Sequence, residues 1–325
     1  MKRIRLLFIM SIIAILTILN TRIVYGKKEN YFEKALKIAK RYGEQKGNQY
    51  ILSLNSEELI LFTKQGCRWV QKNKPKKDWY LAGFYLAMCY SLVKKKKGSD
   101  YFVERMIEEL SKSKKKGDEV WRSQIIRSLS EVKFKECKKN WINKIFETCK
   151  KILLDREEST IVRIEAADFL GMFYDFSLDF YLRYDIYRKL YFKKVGIREI
   201  IDIAKKRGLE NPYREKIEEA IFLVLNVFKD RKEKEELRTE MGRPLHWLLR
   251  ACDSERTRKE VQEELKKIAT DKRTSAKIFM VSARLLVRIY KDKDILEEIK
   301  KRLKTIKDDE LRYDANTLIQ EFDKF

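Results

Sequence analysis

The sequence predicts an all-α protein built from paired helices, and three observations carry that prediction. Across 325 residues there are only 11 glycines and 3 prolines. That is too little punctuation for a β-protein, which needs turn residues every ~8–12 positions. Apolar residues recur at helical spacing: within residues 153–174, Val162, Ala166, Leu170 and Phe173 fall on one face of a helix, and Ile161 and Ile164 widen the stripe. Apolar helix ends also run repeatedly into short polar turns opened by Asp, Asn or Ser, the residues that cap a following helix. With 44% hydrophobic residues, the chain has material for one or two globular domains or one long array.

Residues 1–26 stand apart. Lys2, Arg3 and Arg5 make a basic start, and residues 6–19 form an uncharged apolar run of 14 broken only by Ser11 and Thr17. Val24-Tyr25-Gly26 then puts small or medium residues where a signal peptidase cuts. A membrane-spanning helix needs ~20 apolar residues, so a cleaved secretory signal is expected, with an uncleaved N-terminal membrane anchor as the alternative. The rest of the chain is then expected outside the cytoplasm, periplasmic or extracellular.

Residues 27–46 read as one amphipathic capping helix, with a linker to residue 54. Asn55-Ser56-Glu57-Glu58 is a capping-box entry to a helix reaching Lys72. Asp78 opens an apolar helix ending near Lys94. Further helices are expected at residues 100–111, at 120–132 behind Asp118, and at 141–154 behind Asn140. Asn211-Pro212 launches residues 213–228. Residues 254–269 pair with 275–290, and 292–306 with 308–322.

The unit around Val162-Arg163, Ala166-Ala167 and Leu170-Gly171 resembles the helix–turn–helix of HEAT repeats, most closely over residues 152–171. Setting the second helices on the arginine position aligns Trp79, Arg122, Arg163, Lys216, Phe279 and Arg312. Their spacings of 43, 41, 53, 63 and 33 residues bracket the ~40–47 of HEAT or armadillo units, and the two long ones must hold extra elements. The resemblance implies a right-handed α-solenoid of about six hairpins over residues 55–325, with inserts near 176–195 and 230–252. It also implies a non-catalytic scaffold for a protein partner. Some HEAT-like proteins are lyases or glycosylases, but no matching active-site set occurs in this chain.

Catalytic signatures are poor. The chain has one histidine, His246, so no His₂ or His₃ zinc site exists, and no Cys-x-x-Cys supplies other ligands. His246 is expected to be a structural or surface residue. Ser91, Ser113 and Ser130 each precede a lysine by three positions, which is noise in a lysine-rich chain. No phosphate-cradling glycine loop occurs. The expectation is no catalytic residue, no metal, no cofactor and no identifiable small-molecule substrate. Five cysteines (Cys67, Cys89, Cys137, Cys149, Cys252) form no short-loop framework and read mostly as buried apolar residues.

The best partner-binding candidate is the insert. Phe176, Phe180, Tyr184, Tyr187 and Tyr191 fall at helical spacing as one aromatic stripe, with Arg183, Arg188, Lys189, Lys193 and Lys194 interleaved. Phe180, Tyr184, Tyr187, Arg188, Tyr191, Lys193 and Lys194 are therefore the candidate contact residues. A chain with 74 Lys+Arg against 50 Asp+Glu also has a possible polyanion or anionic membrane partner. The leader holds four of the basic residues and no acid, so a processed chain keeps about +20. Against such a track, the basic turns at 72–77, 94–97 and 112–116 fall alternately on the two edges of a hairpin array.

Overall fold

A computed structural model describes residues 30–72, 99–111, 118–130, 140–184, 189–190 and 196–322. The leader, the helix expected behind Asp78 and nearly all of the basic-turn residues lie outside them. Among the described residues every regular element is helical, with no strand, and no helix is long and apolar enough to cross a membrane. Cα packing divides the chain into two units, residues 1–92 and 93–325.

In the first unit, helices α1 (Tyr31–Tyr42), α2 (Glu44–Ser53) and α3 (Ser56–Lys72) follow one another. The single helix expected over 27–46 is two helices. Gly43, at φ +89°, ends α1 and donates its N–H to Ala39 O, a conformation that glycine adopts without steric cost. Asn30 caps α1 by accepting from the Glu33 N–H at 3.1 Å. The capping box at Asn55 is formed: Glu58 N–H donates to Asn55 Oδ1 at 3.0 Å, and Asn55 N–H donates to Glu58 Oε2 at 2.8 Å. Phe32 packs on Phe62, with ring centroids 5.1 Å apart, inside a small core with Ala35, Leu36, Ile51 and Leu59.

The second unit is a succession of hairpins. α4 (Ser99–Ser111) pairs with α5 (Glu119–Ser130), and α6 (Trp141–Leu154) with α7 (Thr160–Gly171). Two inserted helices follow, α8 (Phe173–Leu182) and α9 (Ile197–Lys206). α10 (Arg214–Lys229) then pairs with α11 (Glu235–Glu240) and α12 (Gly242–Ala251), α13 (Glu255–Thr270) with α14 (Ala276–Leu285), and α15 (Asp294–Leu303) with α16 (Asp309–Phe322). First helices α4, α6, α10, α13 and α15 touch in that order. So do second helices α5, α7, α12, α14 and α16. Each hairpin thus contacts the next through both its first and its second helix.

α7 shows why stacking is needed. It buries Val162, Ala166, Ala167, Phe169, Leu170 and Gly171 as well as the polar Arg163 and Glu165. Each large apolar side chain contributes ~1.5–3 kcal/mol on burial, and one hairpin alone could not cover that many. Ile161 does not widen the stripe: it is 45% exposed. At about 100° per residue it turns away from Val162, toward the side that α5, α6 and α12 leave open.

The turns repeat one device. Asp155, Asp230 and Asp271 each follow a first helix, and each carboxylate accepts the N–H two residues on, from Glu157, Lys232 and Arg273, at 2.9–3.0 Å. This is an Asx turn. Arg156 pairs with Asp230 of the next turn, and Arg231 with Asp271 of the one after. Eight residues beyond the first two of these aspartates, Arg163 and Arg238 send Nε back to the end of the preceding helix, to Leu153 O at 2.9 Å and Phe228 O at 2.8 Å. The register therefore differs from the sequence alignment: Arg238 holds the place assigned to Lys216. Lys216 sits on first helix α10 with its Nζ 4.6 Å from the centre of the Phe146 ring. In the next hairpin Phe279 takes the place, and Arg302 from α15 covers its ring at 4.4 Å.

Candidate binding site

The insert is where the sequence places the contact residues. α8 carries Phe176 and Phe180, and its first residue, Phe173, meets Phe146, Phe176 and Tyr213 edge-on at 5.2–5.8 Å. Phe180 packs half-buried against a satellite core of Tyr181, Ile197, Ile200, Ile201 and Ala204. The aromatic stripe does not continue on one helix. α8 ends at Leu182, where the N–H groups of Arg183 and Tyr184 bond to Phe180 O and Tyr181 O, three residues back, tightening the last turn. Tyr184 lies beyond that end and is 41% exposed. Tyr187, Arg188, Tyr191, Lys193 and Lys194 lie outside the described residues.

A second site lies in the row of second helices. Its junctions are laced by opposite charges: Arg127 of α5 with Glu165 of α7, Arg243 of α12 with Asp168 of α7, Arg284 of α14 with Asp314 of α16 at 2.6 Å. Arg288, just past α14, adds a bidentate pair with Glu321 of α16 at 2.7 and 2.9 Å. Burial raises the Glu165 and Asp168 carboxyls above their usual range, against the lowering by Arg127 and Arg243. The α12–α14 junction breaks the pattern. Arg243 stands on one side and Arg284 and Arg288 on the other, and among the described residues no carboxylate bridges the two helices. Arg250 of α12 lies over the Tyr174 ring at 5.3 Å.

Between α12 and α14 is a cavity of about 270 Å³, lined by Glu240, Arg243, His246, Trp247, Val281, Arg284 and Arg288. The wall is set by close helix approach. A Cβ on Gly242 would lie 2.4 Å from Val281 Cγ1, and one on Gly171 would lie 3.0 Å from Pro244 Cβ and 3.3 Å from Trp247 Cε3. Arg288 sits on a π-helical turn, Leu286–Tyr290, ended by left-handed Lys291 at φ +52°. His246 is half-buried, and its pKa is lowered to about 4, first by desolvation and then by Arg250, Arg288 and Arg284. The imidazole is therefore neutral at physiological pH and lies in a positive field.

Three guanidiniums are only partly committed. Arg243 and Arg288 spend Nε and Nη2 on a carboxylate, and Arg284 spends Nη2. Among the described residues, Nη1 of each makes no hydrogen bond, and neither does either nitrogen of His246. The larger cleft, about 650 Å³ between the last two hairpins, differs. There Arg302 is bonded to Glu298 at 2.9 Å and to Asp271 O at 2.9 Å, and it stacks on Phe279.

Sequence reasoning assigned His246 no binding role and did not single out Arg243, Arg284 or Arg288. The i, i+4 spacing of Arg284 and Arg288 was a legible signal. Their convergence with α12 was not. Elsewhere, Cys149 and Cys252 are buried free thiols, with burial pushing Cys252 up to about 11. Among the described residues no His, Cys, Asp and Glu cluster could hold a metal. Comparison with protein-family models, with curated proteins and with solved structures finds no match to this chain.

Proposed function

We propose that the protein is an exported, non-catalytic scaffold: a HEAT-like right-handed solenoid that holds a protein partner along its row of second helices. The observation that carries this reading is the turn register. The same Asx turn recurs at Asp155, Asp230 and Asp271, each bridged to the next by an arginine, as a stack of repeats requires. Arrays of this kind expose long continuous faces. Here the second-helix face carries both the laced charges and the Arg-rich cavity. The leader-like residues 1–26 support export, and the aromatic insert, with Tyr184 exposed beside it, supplies a second contact region.

Site-specific photo-crosslinking in the native envelope fraction tests the reading. A crosslinker at Thr239, at the cavity mouth, should trap one discrete protein. The same group at Lys259, on exposed first helix α13, should trap none. Equal trapping at both positions, or none at either, sinks the scaffold. Mass spectrometry of the mature N-terminus tests export, since an intact leader on a cytosolic protein contradicts it. A polyanion or anionic membrane surface is the second reading, favoured by the net charge of +24. Its mark is binding to heparin or anionic liposomes that falls steeply with salt.

A further inference from the structure

We infer that the cavity between α12 and α14 is a receptor for a carboxylate on a short apolar stem, the acidic side chain of a partner polypeptide. This deepens the scaffold reading and rests on it. The first argument is the interruption of charge pairing. At the α5–α7, α7–α12 and α14–α16 junctions an arginine of one helix meets a carboxylate of the other. At α12–α14 arginines stand on both sides of a cavity, and among the described residues no carboxylate bridges the two helices. Arg243, Arg284 and Arg288 each pair with a carboxylate on a helix other than the one they face here, so an anion in the cavity would be recognised by the donors they leave over rather than by uncompensated charge.

The second argument is the supply of donors. Arg243, Arg284 and Arg288 line the cavity; each guanidinium is held by a carboxylate through Nε or Nη2, and the Nη1 of each makes no hydrogen bond among the described residues. Guanidiniums fixed in that way form a prepared fork for an oxyanion, because their ordering cost is already met. The third argument is shape. Trp247, Val281 and Leu285 give the cavity an apolar wall, which suits a methylene stem. About 270 Å³ admits a side chain and not a folded domain. Glu240 also lines the cavity and pairs with Arg243 at 3.9 Å, so it opposes an entering anion and favours one that reaches the Arg284 and Arg288 side.

His246 reports on occupancy, because the chain has a single histidine and its ring resonances need no assignment. Facing it are Arg250 on its own helix, Arg284 and Arg288 from across the junction, and Arg243 with Glu240 in the cavity lining. Asp168, Asp314 and Glu321 stand behind the arginines. A carboxylate placed among these groups should raise the His246 midpoint from about 4 to about 5, the effect of one opposite charge within ~4–6 Å.

The test is a proton NMR titration of the untagged full chain with sodium butyrate, with butyramide, and with inorganic phosphate at matched ionic strength. Butyrate should move the His246 ring signal with a Kd of about 1 mM and raise its midpoint, while butyramide moves neither. Arg284→Lys with Arg288→Lys keeps the charges and removes the fork, and should weaken butyrate at least about tenfold. The selectivity of the unmodified chain decides the matter even if that variant folds poorly. No shift with butyrate, an equal shift with butyramide, or phosphate acting as strongly as butyrate overturns the assignment. Crosslinking at Thr239 that survives loss of butyrate binding leaves the scaffold standing and removes only this receptor.

Discussion

Arg163 and the pair Arg284 and Arg288 sit in the same stack of hairpins and do opposite work. Arg163 is 4% exposed and all three of its nitrogens are committed: Nε to Leu153 O, Nη1 and Nη2 to the two oxygens of Glu233 at 2.7 and 2.8 Å. Arg122 behaves likewise, with Leu110 O and Glu158 as acceptors. These side chains tie the end of one first helix to the turn of the following hairpin, and nothing of them remains for a ligand. Arg284 and Arg288 are more than a third exposed, line a cavity, and each keeps an Nη1 with no hydrogen bond among the described residues. Residue type does not separate a structural arginine from a binding one. Saturation of its donors does.

The largest effect should come from the saturated side. Arg163→Met leaves the Glu233 carboxylate, 8% exposed, with only the outer Arg156 at 3.5 Å, and should cost about 3 kcal/mol in denaturant unfolding. Arg163→Met with Glu233→Leu should recover most of that loss. Arg284→Lys should cost under about 1 kcal/mol. Equal losses for Arg163→Met and Arg284→Lys would erase the distinction.

Next comes the helix approach that shapes the cavity. Gly242→Ala forces a methyl to within 2.4 Å of Val281 Cγ1 and should destabilise by about 1–3 kcal/mol. Val281→Ala in the same chain should relieve most of it. A Gly242→Ala protein as stable as the original would mean that the wall yields freely.

The cavity also predicts a pH dependence. The folded His246 pKa of about 4 lies below the unfolded value of about 6.5. Between those values the unfolded chain binds the extra proton, so stability rises with pH there and is lost as pH falls from about 6.5 to about 4. His246→Gln should flatten that part of a stability–pH curve measured by urea midpoint. An unchanged slope would mean that the imidazole titrates normally. A small effect lies in the first unit: Asn55→Ala removes the capping box and should cost about 1 kcal/mol, read as a small fall in thermal midpoint.

Local signals in the sequence located most helices but not every boundary or cap. Gly43 splits the single helix expected over 27–46, Asn140 makes no side-chain cap bond, and the helix expected from residue 213 behind Asn211 begins at Arg214. Asn55 and Glu58 announce a reciprocal cap and form one. Asn140 precedes a helix that runs over Trp141–Leu154 as expected, and the pairing of α13 with α14 and of α15 with α16 follows the apolar periodicity. Other errors arose where a neighbour decides. Lys216 and Arg238 look equally good as the repeat arginine, and only the acceptor at Phe228 O separates them. Phe176, Phe180 and Tyr184 share a helical period, but the chain turns off helix after Leu182, where Tyr181 is buried beside Ile197 and Ile201.

By itself, the sequence determined most of the helices and the polar turns between them, since these depend on residues within about four positions of one another. Tertiary structure alone decided which arginines are sealed and which stand at a cavity. A guanidinium reaches carboxylates tens of residues away, 70 for Arg163 to Glu233 and 75 for Arg243 to Asp168, and no periodicity along the chain records which of them lies opposite.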